Sequence, residues 1–401
     1  MKLIFKDSSF SFELLRAIGH TAYGGADINE CLGTAYRIKE GDFKGWYREW
    51  YQTADRVATI ASRCLAEGHM ESAREAYLRA SNYYRTAEFY LHEGKNTEEA
   101  MEAWQQSRDC FRKAGRIFEP QIEIIKIPYE GTTLPGYFLR VAEDEKPRPT
   151  LIVMTGFDGT AEELYFEVGL AALRRGYHVL IFEGPGQGGA LREQNLYFRP
   201  DWEKVVTPVV DYLVTKPEVD PAHIALIGYS FGGYLAPRAA AFEHRLAACV
   251  ANGGIYNFFD GAVLKNKPAH PRMLQELKKD KSPIMDWGTR LIMHFNTEMR
   301  WAVQDGLWKF NVATPHQLLQ KFQECALEGI VEQIHCPTLV CDSEGEQFFG
   351  KQAEILYQKL TCPKEYILFT KKENAETHCQ SGAHTRSNQR ILDWLDRTLK
   401  R

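Results

Sequence analysis

The 401-residue sequence lacks the features that direct a protein to a membrane or to nucleic acid. No apolar run reaches membrane-spanning length, and the apolar run in residues 1–15 is too short for the core of a secretory signal. There is no block of like charges, and the net charge is only -4. We therefore expect a cytoplasmic protein that contacts neither membranes nor nucleic acid and that acts on a small neutral or aromatic molecule.

Paired cysteines are also missing. The nine cysteines are an odd number, and none of them forms a C-x-x-C pair. This pattern indicates neither a zinc site nor a complete disulfide framework. We therefore predict no bound metal and mostly reduced, buried thiols.

Glycine and proline are nearly absent from residues 44–118, which are rich in alanine, glutamate, arginine and aromatic residues. Apolar residues recur there at helical spacing, and residues 75–87 are partly repeated at 102–114, as in paired helical hairpins of the tetratricopeptide kind. Two copies are too few for a solenoid, so residues 1–120 are predicted to form a helical lid domain. Tyr84 is one of several aromatic residues here that either pack between helices or line a substrate pocket.

Strand-like runs begin at Gln121. Two of them predict a hairpin, and six short apolar runs then alternate with helical stretches, a pattern typical of a mostly parallel sheet flanked by helices. Residues 255–335 interrupt this alternation and are too long for a simple crossover. The predicted fold is therefore an α/β core, a mostly parallel sheet flanked by helices, over 121–254 and 336–401, with a helical cap inserted at 255–335.

The most specific motif is Gly228-Tyr229-Ser230-Phe231-Gly232, between an apolar strand and an alanine-rich helical stretch. This is the context of a nucleophile elbow, in which a sharp strand-to-helix turn exposes a serine hydroxyl. The strained turn leaves no room for side chains at the flanking glycines. Ser230 is therefore the predicted nucleophile of a serine hydrolase.

Two further residues complete a predicted catalytic triad. Asp342 ends the seventh strand-like run, and His378 follows the last one, which gives the chain order Ser, Asp, His. The histidine would accept the serine proton while the carboxylate orients the ring. Glu344 and Glu346 are rival acids, ranked below Asp342 because Asp342 directly ends the strand. His384 is a rival base, but it falls near the start of the terminal helix.

The predicted oxyanion donors are the backbone N–H groups of Phe157, in the turn after the third strand, and of Phe231, after the nucleophile. Asp158 either holds this turn, caps the helix that follows or acts on the substrate as an acid or base, and a turn or cap role is preferred. The glycine loop 183–188 lacks the strand-to-helix context of a dinucleotide site, so it is expected to shape the fold. We predict no cofactor.

These motifs resemble one branch of the α/β-hydrolases over nearly the full length. The branch includes the fungal polyketide-shortening hydrolases of melanin-type pigment pathways and bacterial dihydroxypseudooxynicotine hydrolase. Its signatures here are residues 23–27, 46–50 and 72–91 (YGGAD, WYREW and SAREAYLRASNYYRTAEFYL). The resemblance implies a homodimer, a helical domain over the pocket, carbon-carbon cleavage of a ketone or diketone, and an additional acid corresponding to Asp260.

Carbon-carbon hydrolysis needs a substrate whose leaving carbon can pass its electrons to an adjacent carbonyl or hydroxylated arene. Trp301 and Trp308, in the predicted cap, suit a flat polyketide or aryl ketone, although packing between cap and core would explain them equally well. Two other functions stay open. One is a carboxylesterase or acyl-peptide hydrolase, and the other is an interaction scaffold with a vestigial hydrolase domain.

Overall fold

Five helices build the N-terminal part of the computed structural model, which describes residues 3–91 and 97–399. They are α1 (Ser8–Gly19), α2 (Ile28–Ala35), α3 (Phe43–Ala66), α4 (Met70–Glu88) and α5 (Glu98–Gly115). Side-chain caps define four of the five starts: Asp7, Asp27, Asp42 and Thr97 each accept hydrogen bonds from N–H groups of the first turn.

Aromatic side chains fill the interior of this helical part. Trp46 and Trp50 on α3 are fully buried, and the Trp46 ring meets the Tyr90 ring edge-on at 5.2 Å between centroids. Burial of each such ring removes about 150–250 Å² from water, which is a large contribution for a small helical unit. Tyr84 belongs to the same packing, because its ring meets that of Tyr51 edge-on and its hydroxyl donates to Asp55.

Eight strands form one sheet. They are β1 (Glu123–Tyr129), β2 (Thr132–Leu139), β3 (Arg148–Met154), β4 (His178–Phe182), β5 (Val219–Tyr229), β6 (Ala248–Asn252), β7 (Thr338–Ser343) and β8 (Lys364–Phe369). Their order is β1-β2-β4-β3-β5-β6-β7-β8. The β1–β2 and β2–β4 pairs are antiparallel and all other pairs are parallel, which confirms the predicted hairpin and α/β fold.

Helices cover both faces of the sheet. The core helices are α6 (Ala161–Leu164), α7 (Leu170–Arg174), α8 (Gly188–Gln194), α9 (Glu203–Leu213) and α10 (Gly232–Ala240). Between β6 and β7 come the cap helices α11 (Pro271–Leu277), α12 (Pro283–Phe295), α13 (Thr297–Lys309) and α14 (Pro315–Glu324), and α15 (Gln352–Lys359) and α16 (His384–Thr398) complete the chain. The cap is thus helical as predicted, while the residue at which each domain begins stays a prediction.

Strand side chains alternate between two cores. On β3, Leu151 and Val153 pack in the core that includes the N-terminal helices, whereas Ile152 and Met154 pack in the core under α9, α10 and the cap. The sheet therefore joins the helical domain to the cap. None of the helices within 3–91 and 97–399 is long and apolar enough to cross a bilayer.

Candidate active site

Ser230 sits in the sharp turn between β5 and α10 with a backbone φ of +58°, a strained value for a residue with a side chain. The turn is tight because the flanking backbone is close. A Cβ at Gly228 would lie 2.1 Å from the carbonyl oxygen of Gly232, and one at Gly233 would lie 2.3 Å from that of Gly253. Only glycine fits at these two positions, so the tight turn explains why glycines lie on both sides of Ser230 in the sequence.

The Ser230 hydroxyl contacts His378 in the short helical turn after β8. Its Oγ lies 2.9 Å from Nε2 of His378, and Nδ1 of the same ring lies 2.6 Å from Oε2 of Glu346. A hydroxyl, an imidazole and a carboxylate thus form one continuous hydrogen-bonded chain, the arrangement found in serine hydrolase triads. The structure brings Ser230 and His378 together as the sequence predicts.

The structure corrects the predicted acid partner of His378: the contacting carboxylate belongs to Glu346 and not to Asp342. β7 continues through Ser343, so Asp342 lies within the strand, and its carboxylate accepts hydrogen bonds from the Tyr366 hydroxyl (2.6 Å) and the Ser343 N–H (2.7 Å). The following loop then turns back and carries Glu346 to the imidazole. Of the two rival acids in the sequence, Glu344 instead accepts from the N–H of Lys371.

Charge and burial shift the pKa values of Glu346 and His378 in opposite directions. Burial favours the neutral forms, but the pKa of Glu346 is lowered because His378 and the N–H groups of Phe348 and Phe349 stabilise its carboxylate. Burial likewise opposes the imidazolium, yet the pKa of His378 lies above its ordinary value, because the negative charge and the hydrogen bond of Glu346 stabilise the charged ring. The aromatic ring of Phe348, at 4.8 Å, keeps the imidazole in a dry setting.

A cysteine lies directly behind the nucleophile, and nothing in the sequence pattern indicates it. Cys379 adopts a φ of +48°, and its Sγ accepts from the Ser230 N–H at 3.1 Å and lies 3.5 Å from Nε2 of His378. Burial raises the pKa of the Cys379 thiol, so it is a neutral packing partner of the turn.

The two predicted oxyanion donors are next to each other. A Cβ on Gly156 would lie 2.6 Å from the backbone nitrogen of Phe231 and 3.0 Å from Cβ of Ser230, so the turn after β3 contacts the elbow directly. Among the described residues, the N–H groups of Phe157 and Phe231 donate to no other group. Two adjacent uncommitted donors are what a developing oxyanion requires, and their role is proposed below.

Asp158 does not cap the helix that follows it. Its carboxylate accepts a 2.8 Å hydrogen bond from Arg16 on α1, and the Ala161 N–H at the helix start donates to Glu183 instead. Arg16 also donates to both carboxylate oxygens of Glu163, at 2.6 and 2.7 Å. Although burial opposes it, the positive charge of Arg16 lowers the pKa of Asp158 to about 2, so Asp158 is an ion-pair partner.

The remaining predicted site residues divide by location. Trp301 lies beside the oxyanion turn, 6.2 Å from the Phe157 ring, and also stacks on Phe89 of the helical domain. Trp308 packs against the guanidinium of Arg192, and Tyr84 lies inside the helical hairpin. The Asp260 carboxyl has a raised pKa because of its burial, and its N–H donates to the Asn257 side chain.

A second polar cluster lies between α1 and α16. Ligand atoms of His20, Glu167 and His384 lie within 4.8 Å of one another, and all three residues are buried. Burial lowers the pKa of His20 to about 4 and of His384 to about 3, and it raises that of Glu167 to about 8. Burial therefore disfavours the charged form of all three groups.

A cavity of about 380 Å³ lies between α1 and His378. His378 lines it together with Phe12 and Leu15 of α1 and with parts of the loops at 344–347 and 371–377. Its volume falls in the usual range of small-molecule sites. The helical domain therefore supplies one wall of the space beside the catalytic base.

Comparison with known proteins agrees with this geometry. The family model described as "Esterase FrsA-like" matches residues 26–275. Hydrolase LUC6 of Fusarium sp. is 34% identical over 99% of this chain and 98% of its own, and 20-hydroxy-prefusarin hydrolase FUS2 of Gibberella moniliformis is 33% identical over the same shares.

Solved structures show the same fold. The crystal structure of 2,6-dihydroxy-pseudo-oxynicotine hydrolase superposes with a TM-score of 0.74 at 23% identity and covers 95% of each chain. AbyA5 superposes with a TM-score of 0.63 at 19% identity over 96% of this chain and 98% of its own. The chain is therefore an enzyme of the hydrolase class and belongs to the FrsA-like esterase family, in the α/β-hydrolase branch that its sequence motifs indicate.

Proposed function

We propose that this enzyme is a serine hydrolase with a Ser230–His378–Glu346 triad that cleaves a carbon-carbon bond of a ketone or β-diketone. The observation that carries the triad is the unbroken chain from Oγ through both ring nitrogens to a carboxylate, with lengths of 2.9 and 2.6 Å. The chain ends at a strained turn that presents the hydroxyl beside two uncommitted N–H donors.

The reaction follows from these positions. His378 takes the Ser230 proton as Oγ attacks the substrate carbonyl, and the resulting oxyanion accepts hydrogen bonds from the N–H groups of Phe157 and Phe231. Collapse breaks the carbon-carbon bond, the leaving carbon receives the proton from His378, and an acyl-Ser230 ester remains. Water, deprotonated by His378, then hydrolyses this ester and restores the serine.

Carbon-carbon cleavage is favoured over simple ester cleavage by two observations. The first is the resemblance to the branch described above: the relative FUS2 is named for 20-hydroxy-prefusarin, and a structure with the same fold is named for 2,6-dihydroxy-pseudo-oxynicotine. In this chain the rings of Phe157, Phe198, Phe231 and Phe310 cluster around the oxyanion turn. Such a wall suits a planar conjugated substrate, which can absorb the electrons of the broken bond.

A panel of β-diketones, aryl ketones and aryl esters tests the proposal. Wild type and Ser230→Ala are compared by mass spectrometry of both cleavage products, and a fluorophosphonate probe reports Ser230 reactivity. The proposal predicts a larger kcat/KM for diketones or aryl ketones than for esters, with all turnover lost in Ser230→Ala. Efficient ester cleavage with ketones left intact would instead identify a carboxylesterase, which the family description favours.

We also propose a cytoplasmic homodimer. All nine cysteines are free thiols, as suits a reducing compartment. The cap helix α12 buries none of its residues and presents an apolar stripe at helical spacing, formed by Ile284, Trp287, Leu291, Ile292 and Phe295. Trp287 is 68% and Phe295 80% exposed. A contiguous apolar stripe of this kind on a surface helix is typical of a protein–protein interface, and the occupant proposed here is the same stripe of a second copy of the chain.

Trp287→Glu combined with Phe295→Glu is expected to convert the dimer to a monomer, because two charges would be buried in the paired stripes. Light scattering after size exclusion measures the mass of each form, which should fall from about twice 46.0 kDa to one chain. Tyr36→Glu, at an exposed aromatic residue on the helical domain, is the matched control and should leave the dimer intact. A wild-type chain that stays monomeric at high concentration would refute the interface.

A further inference from the structure

Gln187, in the glycine loop after β4, is only 1% exposed and uses both ends of its amide. Its Nε2 donates to the carbonyl oxygens of Thr155 (2.9 Å) and Gly156 (3.1 Å), and its Oε1 accepts from the Gly184 N–H (2.9 Å). Two carbonyls need a donor and one N–H needs an acceptor, so these partners also fix which way the amide is oriented.

The contact with Gly156 bears directly on the oxyanion site. The Gly156 carbonyl and the Phe157 N–H belong to one planar trans peptide, so they point in opposite directions. Holding the carbonyl toward Gln187 fixes the N–H on the other side of the peptide. The peptide cannot rotate without losing the Gln187 hydrogen bond, and Gly156 is packed against the elbow with no space for a side chain.

We propose that Gln187 is a positioning residue that aims the Phe157 N–H at the oxyanion. The inference rests on the serine hydrolase function proposed above and adds a residue that the triad and the donor pair do not include. It gives the glycine loop at 183–188 a role in catalysis through the peptide that it holds, beyond shaping the fold.

The cap and the helical domain hold the two groups that follow in the turn after β3, the Phe157 carbonyl and the Asp158 carboxylate. Lys309 of the cap helix α13 donates to the Phe157 carbonyl at 2.5 Å and is itself paired with Asp305. Arg16 of α1 holds the Asp158 carboxylate at 2.8 Å. The oxyanion turn is thus anchored by the core, the cap and the helical domain, with Gln187 on the peptide that carries the donor.

Gln187→Met is the sharpest test, because methionine keeps the length and volume but cannot donate. Loss of one oxyanion donor lowers kcat by about 10²–10³-fold in serine hydrolases, so a misaimed donor is expected to cost about 10–100-fold. KM should change by less than about threefold, because the substrate carbonyl is held only weakly before attack. Gln194→Met, the same change at the end of α8, is the matched control and should leave kcat unaltered.

The second readout is the inhibition constant of a trifluoromethyl ketone. Ser230 Oγ adds to its carbonyl carbon, the serine proton passes to His378, and the carbonyl oxygen becomes an oxyanion in the same site. The inhibition constant in Gln187→Met should rise by the same factor by which kcat/KM falls. A lower melting temperature with unchanged kcat and inhibition constant would show a merely structural role and overturn the proposal.

Gln187→Glu covers the case in which the methionine variant does not fold. It retains the shape and the acceptor for Gly184, but its ionised carboxylate faces two carbonyl oxygens, so the loss of activity should grow as pH rises through its pKa. A fluorophosphonate that labels wild-type Ser230 while both variants keep full activity refutes the Gln187 role alone. A wild type that resists the probe refutes the serine hydrolase itself.

Discussion

Replacing Ser230 by alanine is expected to reduce kcat/KM by about 10⁴–10⁶-fold for every substrate that the wild type cleaves, since triad members act as a unit. Within residues 3–91 and 97–399, the Ser230 hydroxyl and the Cys379 sulfur are the nucleophiles that contact Nε2 of His378. The sulfur already accepts from the Ser230 N–H and burial raises the pKa of its thiol, so the hydroxyl is the reactive group. Steady-state assays with the best substrate of the panel measure the loss.

The fold should survive this change. Alanine keeps the backbone of the elbow, and the Ser230 N–H and carbonyl retain their partners Asn252 and Gly233. The melting temperature of Ser230→Ala should therefore stay within a few degrees of wild type. Substantial turnover by a folded Ser230→Ala, above about 1% of wild type, would contradict a serine nucleophile and point to another group.

Glu346→Gln is expected to lower kcat by about 10³–10⁴-fold, the loss typical when the orienting carboxylate of a triad becomes an amide. The amide can hold the imidazole in the wrong tautomer and cannot stabilise the imidazolium. Asp342→Asn is the matched control, since it makes the same change four residues earlier on a group that contacts Tyr366. It should leave kcat within about threefold of wild type. The opposite result would restore Asp342 as the acid.

Glu346→Gln and Asp342→Asn are also expected to differ in the pH dependence of kcat/KM. Catalysis needs neutral His378, so activity rises with pH through its pKa, which Glu346 helps to hold above the ordinary value. Removing the carboxylate removes a stabiliser of the cation, so the pKa falls. The acid limb of the kcat/KM profile should move to lower pH in Glu346→Gln, on a reduced plateau, and should not move in Asp342→Asn.

The strands and the nucleophile could be predicted from sequence because their signals are local. All eight strands were indicated by apolar runs, and the serine by the glycines that its turn requires. His378 could be inferred because the base follows the last strand in this fold. Each of these signals lies within a few residues of the feature that it predicts.

The contacts of Glu346 and Asp158 could not be predicted from neighbouring residues in the sequence. The sequence cannot tell that β7 continues one residue past Asp342, and that single residue decides which acid the loop delivers to the imidazole. Asp158 pairs with a residue 142 positions earlier, and no short-range pattern reports such a contact. The acid partner of His378 and the contact that Asp158 makes both depend on the direction of one side chain, which tertiary packing sets.

Arg16 and Phe12 on α1 make the hydrolase core depend on the helical domain. A shortened protein beginning at the hairpin would leave the carboxylates of Asp158 and Glu163 without the Arg16 guanidinium, and it would open one wall of the cavity beside the imidazole. Leaving acids without their counter-charge is destabilising. Separate expression of the hydrolase half would therefore yield a poorly folded protein.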